Sequence, residues 1–300
     1  MPELPEVQTV VDTLIAQGLP GRRIADVGVY WPKIIADMPP AVFCRRANGR
    51  TIEQITRRGK YIVMRLSGDL TLLIHLRMSG RFNWSLATSP RLSHEHVVFA
   101  LDGAHSLRFQ DTRKFGRMLL TDAPQRILDR LGPEPLDKGF TSQGLAGMLG
   151  ACRRQIKPLL LDQRFLAGMG NIYVDEALWE ARIHPRQISS TLDHPAIVGL
   201  HRAIVSVLHQ GLRNRGTSLG RGQTNFQSPH RDPGGNARAL NVFRRTGQAC
   251  PRCTTTIVRL VVGQRSTHIC PKCQPLISRL CRPAVPCEPL QRRRRNAGHR

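Results

Sequence analysis

Acidic residues are the scarce class in this chain. Its 300 residues carry 21 Asp and Glu against 45 Lys and Arg, a formal net charge of +24 with an isoelectric point near 11.3. The shortage deepens toward the C-terminus. Residues 201–300 hold 19 basic residues and only Asp232 and Glu288 as acids, a net of +17. Such a surplus calls for a polyanionic partner, of which nucleic acid is the commonest. A plain solvated surface is the alternative, but several Arg residues lie close to Cys, Gly and Asn motifs, which favours a binding face. Long apolar runs are missing too. Nothing approaches the roughly 18 consecutive apolar residues of a membrane span. The opening residues have two acids and no basic n-region, so no secretory signal is expected and an intracellular chain is. No internal repeat is present.

What remains is a foldable chain. Hydrophobic residues are 40% of the total, which separates it from a basic disordered arm. The length allows about two domains of roughly 100–200 residues. Pro5 suits a first helical position, Val7, Val10, Val11, Leu14 and Ile15 recur on one helical face, and Gly18 supplies the stop. Pro20, Gly21, Pro32, Pro39 and Pro40 punctuate a loop-rich stretch. Short apolar runs at 61–66, 70–78, 95–101, 106–110 and 117–121 are separated by turn residues and predict an antiparallel sandwich. Gly132-Pro133-Glu134-Pro135 reads as a linker. Beyond it, 145–161, 172–181 and 195–212 have helical spacing. Residues 216–236 read as an exposed, mobile loop and 281–300, with Arg292–Arg295, as a disordered basic tail.

Four of the eight cysteines stand as Cys250-x2-Cys253-x16-Cys270-x2-Cys273. Two such knuckles present four thiolates to one tetrahedral Zn²⁺ and close a β-hairpin over 254–268. Four protein ligands leave no open position, so the zinc is expected to be structural. Disulfide pairing is the alternative, disfavoured in an intracellular chain. Cys281 and Cys287 lie beyond the second knuckle and are competing ligands or loose tail residues. Cys44 and Cys152 read as packing residues. The hairpin carries Arg259 and Arg265 and no acid, a pattern suited to phosphate.

Methionine removal before Pro2 would expose a secondary amine with a pKa near 7.7–8.0, able to attack an electrophilic carbon and form an iminium electron sink. Glu3 and Glu6 would flank that amine at the positive end of a helix. The same spacing also fits a helix start with Pro and acids where capping prefers them.

Six segments in order carry a family resemblance. Met1-Pro-Glu-Leu-Pro-Glu-Val7 resembles the N-terminus of bacterial formamidopyrimidine-DNA glycosylases. Arg57-Arg-Gly-Lys-Tyr61 is similar to the family's catalytic-lysine hairpin, His75-Leu-Arg-Met-Ser-Gly80 to its HLGMSG motif and Asp111-Thr-Arg-Lys-Phe-Gly116 to its DPRRFG loop. Gly170-Asn-Ile-Tyr-Val-Asp-Glu176 resembles the helix–two-turn–helix signature, and the four cysteines resemble its zinc finger. The resemblance runs from residue 1 to about 274. It implies an α+β protein: an N-terminal β-sandwich catalytic domain over 1–132, a helix–two-turn–helix DNA-binding domain over 136–245, a zinc finger over 246–274 and a basic tail over 275–300. It implies one structural Zn²⁺ and a monomer acting in the bacterial cytosol on double-stranded DNA with oxidised bases or abasic sites.

The implied activity is a bifunctional DNA glycosylase and AP lyase of base excision repair. It excises 8-oxoguanine and formamidopyrimidines through a proline Schiff base and β,δ-elimination. By resemblance Pro2 is the nucleophile, Glu3 the general acid/base and Glu6 its support. Lys60 serves β-elimination, and Arg265 serves δ-elimination and contacts phosphate. Asn171, Lys157 and Arg153 grip the backbone beside the lesion, and His75 and His94 are further phosphate contacts. Met78, Arg113 and Phe115 fill the hole left by the everted nucleotide, which such an enzyme must extrude to reach C1′. Read singly, Met78 and Phe115 are equally core residues and Asn171 a helix cap. Arg77 stands where the family usually has Gly, Thr112 where it has Pro and Lys114 where it has Arg. The segment 218–240, which caps the everted base in the guanine-lesion enzymes, is richer here in Arg and Pro. That keeps two rivals open: an endonuclease VIII-like enzyme preferring oxidised pyrimidines, against which Leu4 argues, and a non-catalytic zinc-ribbon DNA-binding protein.

Overall fold

The computed structural model describes residues 1–219, 226–229 and 232–277. Helix α1 (Leu4–Ala16) opens the chain. It buries Val7, Val10, Val11 and Leu14 as their spacing predicts, but Ile15 falls on the solvent side, 45% exposed. The helix closes with paired bonds from Gly18 N–H to Ile15 O and from Leu19 N–H to Leu14 O. Gly18 takes the positive φ of 72° that this stop requires.

Two four-stranded antiparallel sheets follow. One has the order β1 (Ile24–Val29), β6 (Glu95–Leu101), β7 (His105–Gln110), β5 (Arg81–Leu86). The other runs β2 (Ile52–Arg58), β3 (Tyr61–Leu66), β4 (Leu70–His75), β8 (Arg117–Thr121). Their inner faces share one core with α1 and α2 (Pro40–Ala47), in which Phe82 and Phe109 meet edge to face at 5.3 Å. Such a pair adds about 0.5–1.5 kcal/mol to its area burial. The sandwich therefore has eight strands. β1, β2 and β5 escape a search for apolar runs because Asp26, Glu53, Gln54 and Asn83 interrupt them. The expected strand 70–78 stops at His75, where Leu76–Ser79 turn away.

After the short α3 (Gln125–Leu128), four helices build the second core: α4 (Ser142–Gly150), α5 (Ile156–Leu161), α6 (Asn171–Glu180) and α7 (His194–Arg213). The expected continuous helix 145–161 is broken at 151–155. Pro158 lacks an amide hydrogen and its ring would clash with the carbonyl four residues back, so it is accepted only in the first turn of a new helix. Asp193 caps α7 by accepting the Ala196 amide at 3.1 Å. Leu4 packs into this second core while the rest of α1 belongs to the sandwich. β9 (Val258–Val262) and β10 (Arg265–Ile269) form the hairpin between the cysteine knuckles. No helix among the described residues is long and apolar enough to cross a membrane.

The 216–236 segment departs from the exposed loop expected of it. Thr217, Ser228 and Asn236 are buried, and isolated pairings join Thr217 to Gly235 and Gln227 to Pro233. Its polar side chains bond inward: Asn236 Nδ2 donates to Thr217 Oγ1 at 3.0 Å. Residues 220–225 and 230–231 lie outside the described residues, as do Thr224, Cys281, Cys287 and the tail from 278.

Candidate active site

The start of α1 meets the start of α6. Glu3 donates its backbone N–H to Glu6 Oε2 at 2.8 Å, the reciprocal bond of a capping box. Its carboxylate serves another helix. Oε1 accepts the Ile172 amide at 2.9 Å and Oε2 the Tyr173 amide at 3.4 Å. The N-cap of α6 is Gly170, so Asn171 is not the cap and the orphan amides are taken by a carboxylate from the chain's third residue. A Cβ on Gly170 would lie 2.3 Å from Glu3 Cδ, so only glycine leaves room. Helix amides favour an ionised carboxylate, and Lys60 adds to that. Burial opposes it and wins, lifting the Glu3 pKa to about 7. Glu6 Oε1 accepts the Tyr173 hydroxyl at 2.8 Å and the Thr217 amide at 2.7 Å. Burial raises its pKa as well.

Lys60 sits in the β2–β3 turn, almost fully buried, after Gly59 with its φ of 55°. Burial lowers its pKa against the pull of Glu3 and Glu6, so more of its amine is unprotonated and free to accept a proton than in a surface lysine. Glu134 fixes the turn, accepting the Gly59 amide and pairing with Arg57 Nη1 at 2.8 Å and Arg58 Nη1 at 3.0 Å.

A cleft of about 630 Å³ opens over these groups. Glu3, Lys60, Asn171 and Arg265 line it with Met1, and Met78, Phe115, Arg77, Arg117 and Arg244 continue its walls. The Met1 ammonium has its pKa lowered by burial, countered by Glu3 and Glu6. Pro2 is buried beside it, and with Met1 attached its nitrogen is an amide and not an amine.

The wall residues stand on a scaffold of their own. Asp111 is fully buried and accepts the Ser79 hydroxyl, the Arg113 amide at 3.1 Å and the Gly116 amide at 2.7 Å. Met78 and Phe115 are 40% and 47% exposed, which sets aside the core reading for both. The Arg113 guanidinium lies 5.1 Å from the Phe115 ring centre. His75 Nδ1 accepts the Arg77 amide at 3.0 Å. Burial, with Arg77 and Lys60 nearby, pushes its pKa down to about 3. It is a neutral imidazole with Nε2 as donor and not a cationic phosphate contact. His94 is exposed at a φ of 65° and is not among the residues lining the cleft. Arg153 is exposed between α4 and α5.

Lys157 corrects the sequence reading. It has no exposed surface, and its Nζ donates to Asp175 Oδ1 at 2.6 Å and Ser266 O at 3.0 Å. It faces a buried acid, not a phosphate. Asn171 Nδ2 also donates to Ser266 O, at 2.9 Å, which leaves one amide hydrogen for another acceptor.

The ligand atoms of Cys250, Cys253, Cys270 and Cys273 all lie within 4.8 Å of one another. A tetrahedral zinc with bonds of about 2.3 Å spaces its sulfurs about 3.8 Å apart, so the four fit one ion. Trp179 Nε1 donates to Cys250 Sγ at 3.4 Å, a bond that favours the thiolate. The chain thus holds one structural zinc, which when bound ties the β9–β10 hairpin to α6. Among the described residues Cys44 and Cys152 stay apart as half-buried packing residues.

Sequence reasoning missed Tyr173, Thr217, Asp111, Glu134, Asp175 and Glu176. The available signal was the scarcity of acids. Among the described residues seven acids are buried, and one of them, Glu176, by itself accepts the amides of Asn241, Val242 and Phe243. In a chain so short of carboxylates, each one inside a motif is a candidate for holding backbone.

Comparison with known proteins agrees with this geometry. Residues 1–118 match the model of the formamidopyrimidine-DNA glycosylase N-terminal domain, 131–221 that of the formamidopyrimidine-DNA glycosylase H2TH domain and 247–276 that of a zinc finger found in FPG and IleRS. A relative from Protochlamydia amoebophila, named formamidopyrimidine-DNA glycosylase, is 44% identical over 274 residues, 91% of this chain and 99% of its own. One of the same name from Herpetosiphon aurantiacus is 46% identical over 277 residues, covering 91% and 100%. The complex between the Lactococcus lactis Fpg and an abasic-site-containing DNA superposes with a TM-score of 0.83 at 34% identity, covering 91% of this chain and 99% of that one.

Proposed function

The chain belongs to the formamidopyrimidine-DNA glycosylase family, a DNA glycosylase of base excision repair, and from that premise we propose how its own residues carry the reaction. DNA lies in the cleft between sandwich and helices, bound through phosphates by the basic surplus, each neutralised phosphate releasing counterion. Met78, Arg113 and Phe115 fill the space of the everted nucleotide, the two apolar side chains offsetting lost stacking. Arg113 offers paired donors to the base left behind.

Removal of Met1 frees the Pro2 nitrogen. That amine attacks C1′ as the bond to the damaged base breaks, its N–H proton leaves with the departing base, and its electron pair forms the iminium as the bond from C1′ to the ring oxygen breaks. Glu3 gives its proton to the ring oxygen; with a pKa near 7 it is protonated in a large fraction of molecules at neutral pH. In β-elimination the C2′–H bond breaks, its proton goes to Lys60, its electron pair forms C2′=C3′ and the 3′-phosphate leaves. In δ-elimination the C4′–H bond breaks, its proton passes to a base in the cleft, its pair forms C4′=C5′ and the 5′-phosphate leaves. Arg265 stabilises the charge growing on that phosphate.

The convergence of Glu3, Lys60 and Arg265 around the chain's first residues supports this reading most strongly. The substrates proposed are 8-oxoguanine and formamidopyrimidines in duplex DNA, with the enzyme acting as a monomer in the cytoplasm. Borohydride trapping on an abasic duplex tests it. Met-processed protein forms a covalent adduct and Pro2→Gly loses it; an equal adduct from Pro2→Gly refutes the nucleophile.

A further inference from the structure

Among the described residues, the mechanism leaves the buried Lys157 without a role. Lys157 bonds Asp175 Oδ1 and the carbonyl of Ser266, and Asn171 donates to that same carbonyl. The second Asp175 oxygen accepts the His268 amide at 2.9 Å and lies 3.1 Å from His268 Nδ1. At the hairpin turn, a Cβ on Gly263 would come within 2.8 Å of Pro158 Cγ, so hairpin and α5 are in close contact there. The hairpin is thus gripped at residues 263, 266 and 268. These bracket Arg265, which stands in the cleft with Glu3 and Lys60.

A buried ion pair is a poor way to gain stability, because well-packed apolar residues of the same volume do as well or better. What it supplies is direction. Lysine and aspartate lock one register of β10 against α5 and α6, and a hairpin one ångström out of place would carry the guanidinium with it.

We propose that Lys157, through its buried pair with Asp175, is a positioning residue that aims Arg265 at the phosphate leaving in the second elimination, and is not itself a DNA contact. The proposal rests on the reading of Arg265 given above.

The test is single-turnover cleavage of an abasic duplex, with β- and β,δ-elimination products resolved on a gel. The double variant Lys157→Met with Asp175→Asn removes both charges together and so leaves no unpaired buried charge, whereas Lys157→Met alone strands Asp175. The double variant loses β,δ-product relative to β-product by on the order of tenfold or more, the cost of a misplaced group, while its borohydride-trapped adduct falls far less. Lys157→Arg, which keeps charge and donors, retains the parent partition. A role in folding alone would lower both eliminations together, and that result, or an unchanged partition in the double variant, overturns the proposal. Arg265→Gln separates the two readings: if it leaves the partition unchanged, the role of Arg265 fails; if it shifts the partition and the Lys157 variants do not, the inference on Lys157 fails.

Discussion

The Glu3 carboxylate accepts the Ile172 amide at 2.9 Å across 169 residues of chain. One bond joins the first turn of the first helix to the start of the helix that follows the two-turn segment. It places a carboxyl with a near-neutral pKa at the floor of the cleft. The site therefore exists only when the sandwich and the helical domain are docked.

Gly170 guards that bond. Gly170→Ala is expected to push Glu3 off the α6 amides, because its Cβ would sit 2.3 Å from Glu3 Cδ. Base excision should fall by about a hundredfold, the cost of misplacing a reacting group. Binding to an abasic duplex, measured by titration, should change far less.

The raised Glu3 pKa has a sign. A folded-state pKa near 7 against an ordinary 4.5 means that the folded protein holds a proton the unfolded chain releases. The associated stability is present below about pH 4.5 and is lost as pH rises through 7, on the order of 3 kcal/mol in all. Thermal melts from pH 4 to 8 should show the parent losing stability relative to Glu3→Gln over that window. Excision should decline through the same range as the acid form is lost, and Glu3→Gln, inactive as an acid, should lack that inflection.

His75 is neutral at any working pH, with a pKa near 3. Substituting it with Gln should leave the slope of log affinity against log salt unchanged. Arg265→Gln should reduce that slope by about 0.9, one counterion's worth. A reduction in the His75 variant would mean that the imidazole carries charge on DNA.

Zinc removal should act through the hairpin. Chelation is expected to release one Zn²⁺ per chain, lower the melting temperature and abolish β,δ-elimination, since Arg265 lies between the second and third ligands. Metal analysis beside product gels checks it. Re-addition of zinc should restore both properties.

The proposed preference for oxidised purines is tested with paired duplexes. Duplexes with 8-oxoguanine opposite cytosine are expected to be cut faster than duplexes with thymine glycol. Strong preference for the second would move the enzyme to the endonuclease VIII-like reading.

The sequence by itself determined the local patterns. CxxC knuckles, the Pro and acids at the N-terminus, alternating strands and a basic surplus all express spacing along the chain, and the family resemblance follows from them. Tertiary structure decided which charges are usable. Lys157 and Lys60 are both lysines in basic motifs, yet one is sealed against Asp175 and the other lines the cleft. Met78 and Phe115 fit a core pattern as well as a plug, and only the fold of the Asp111 loop turned them outward. Glu3 reads as an ordinary helix-capping acid until α6 closes over it. Burial and the direction of neighbouring dipoles are properties of packing between distant segments, and no local spacing encodes them. The few acids of this chain bear this out: their rarity is plain in the composition, but the seven buried among the described residues become identifiable only in three dimensions.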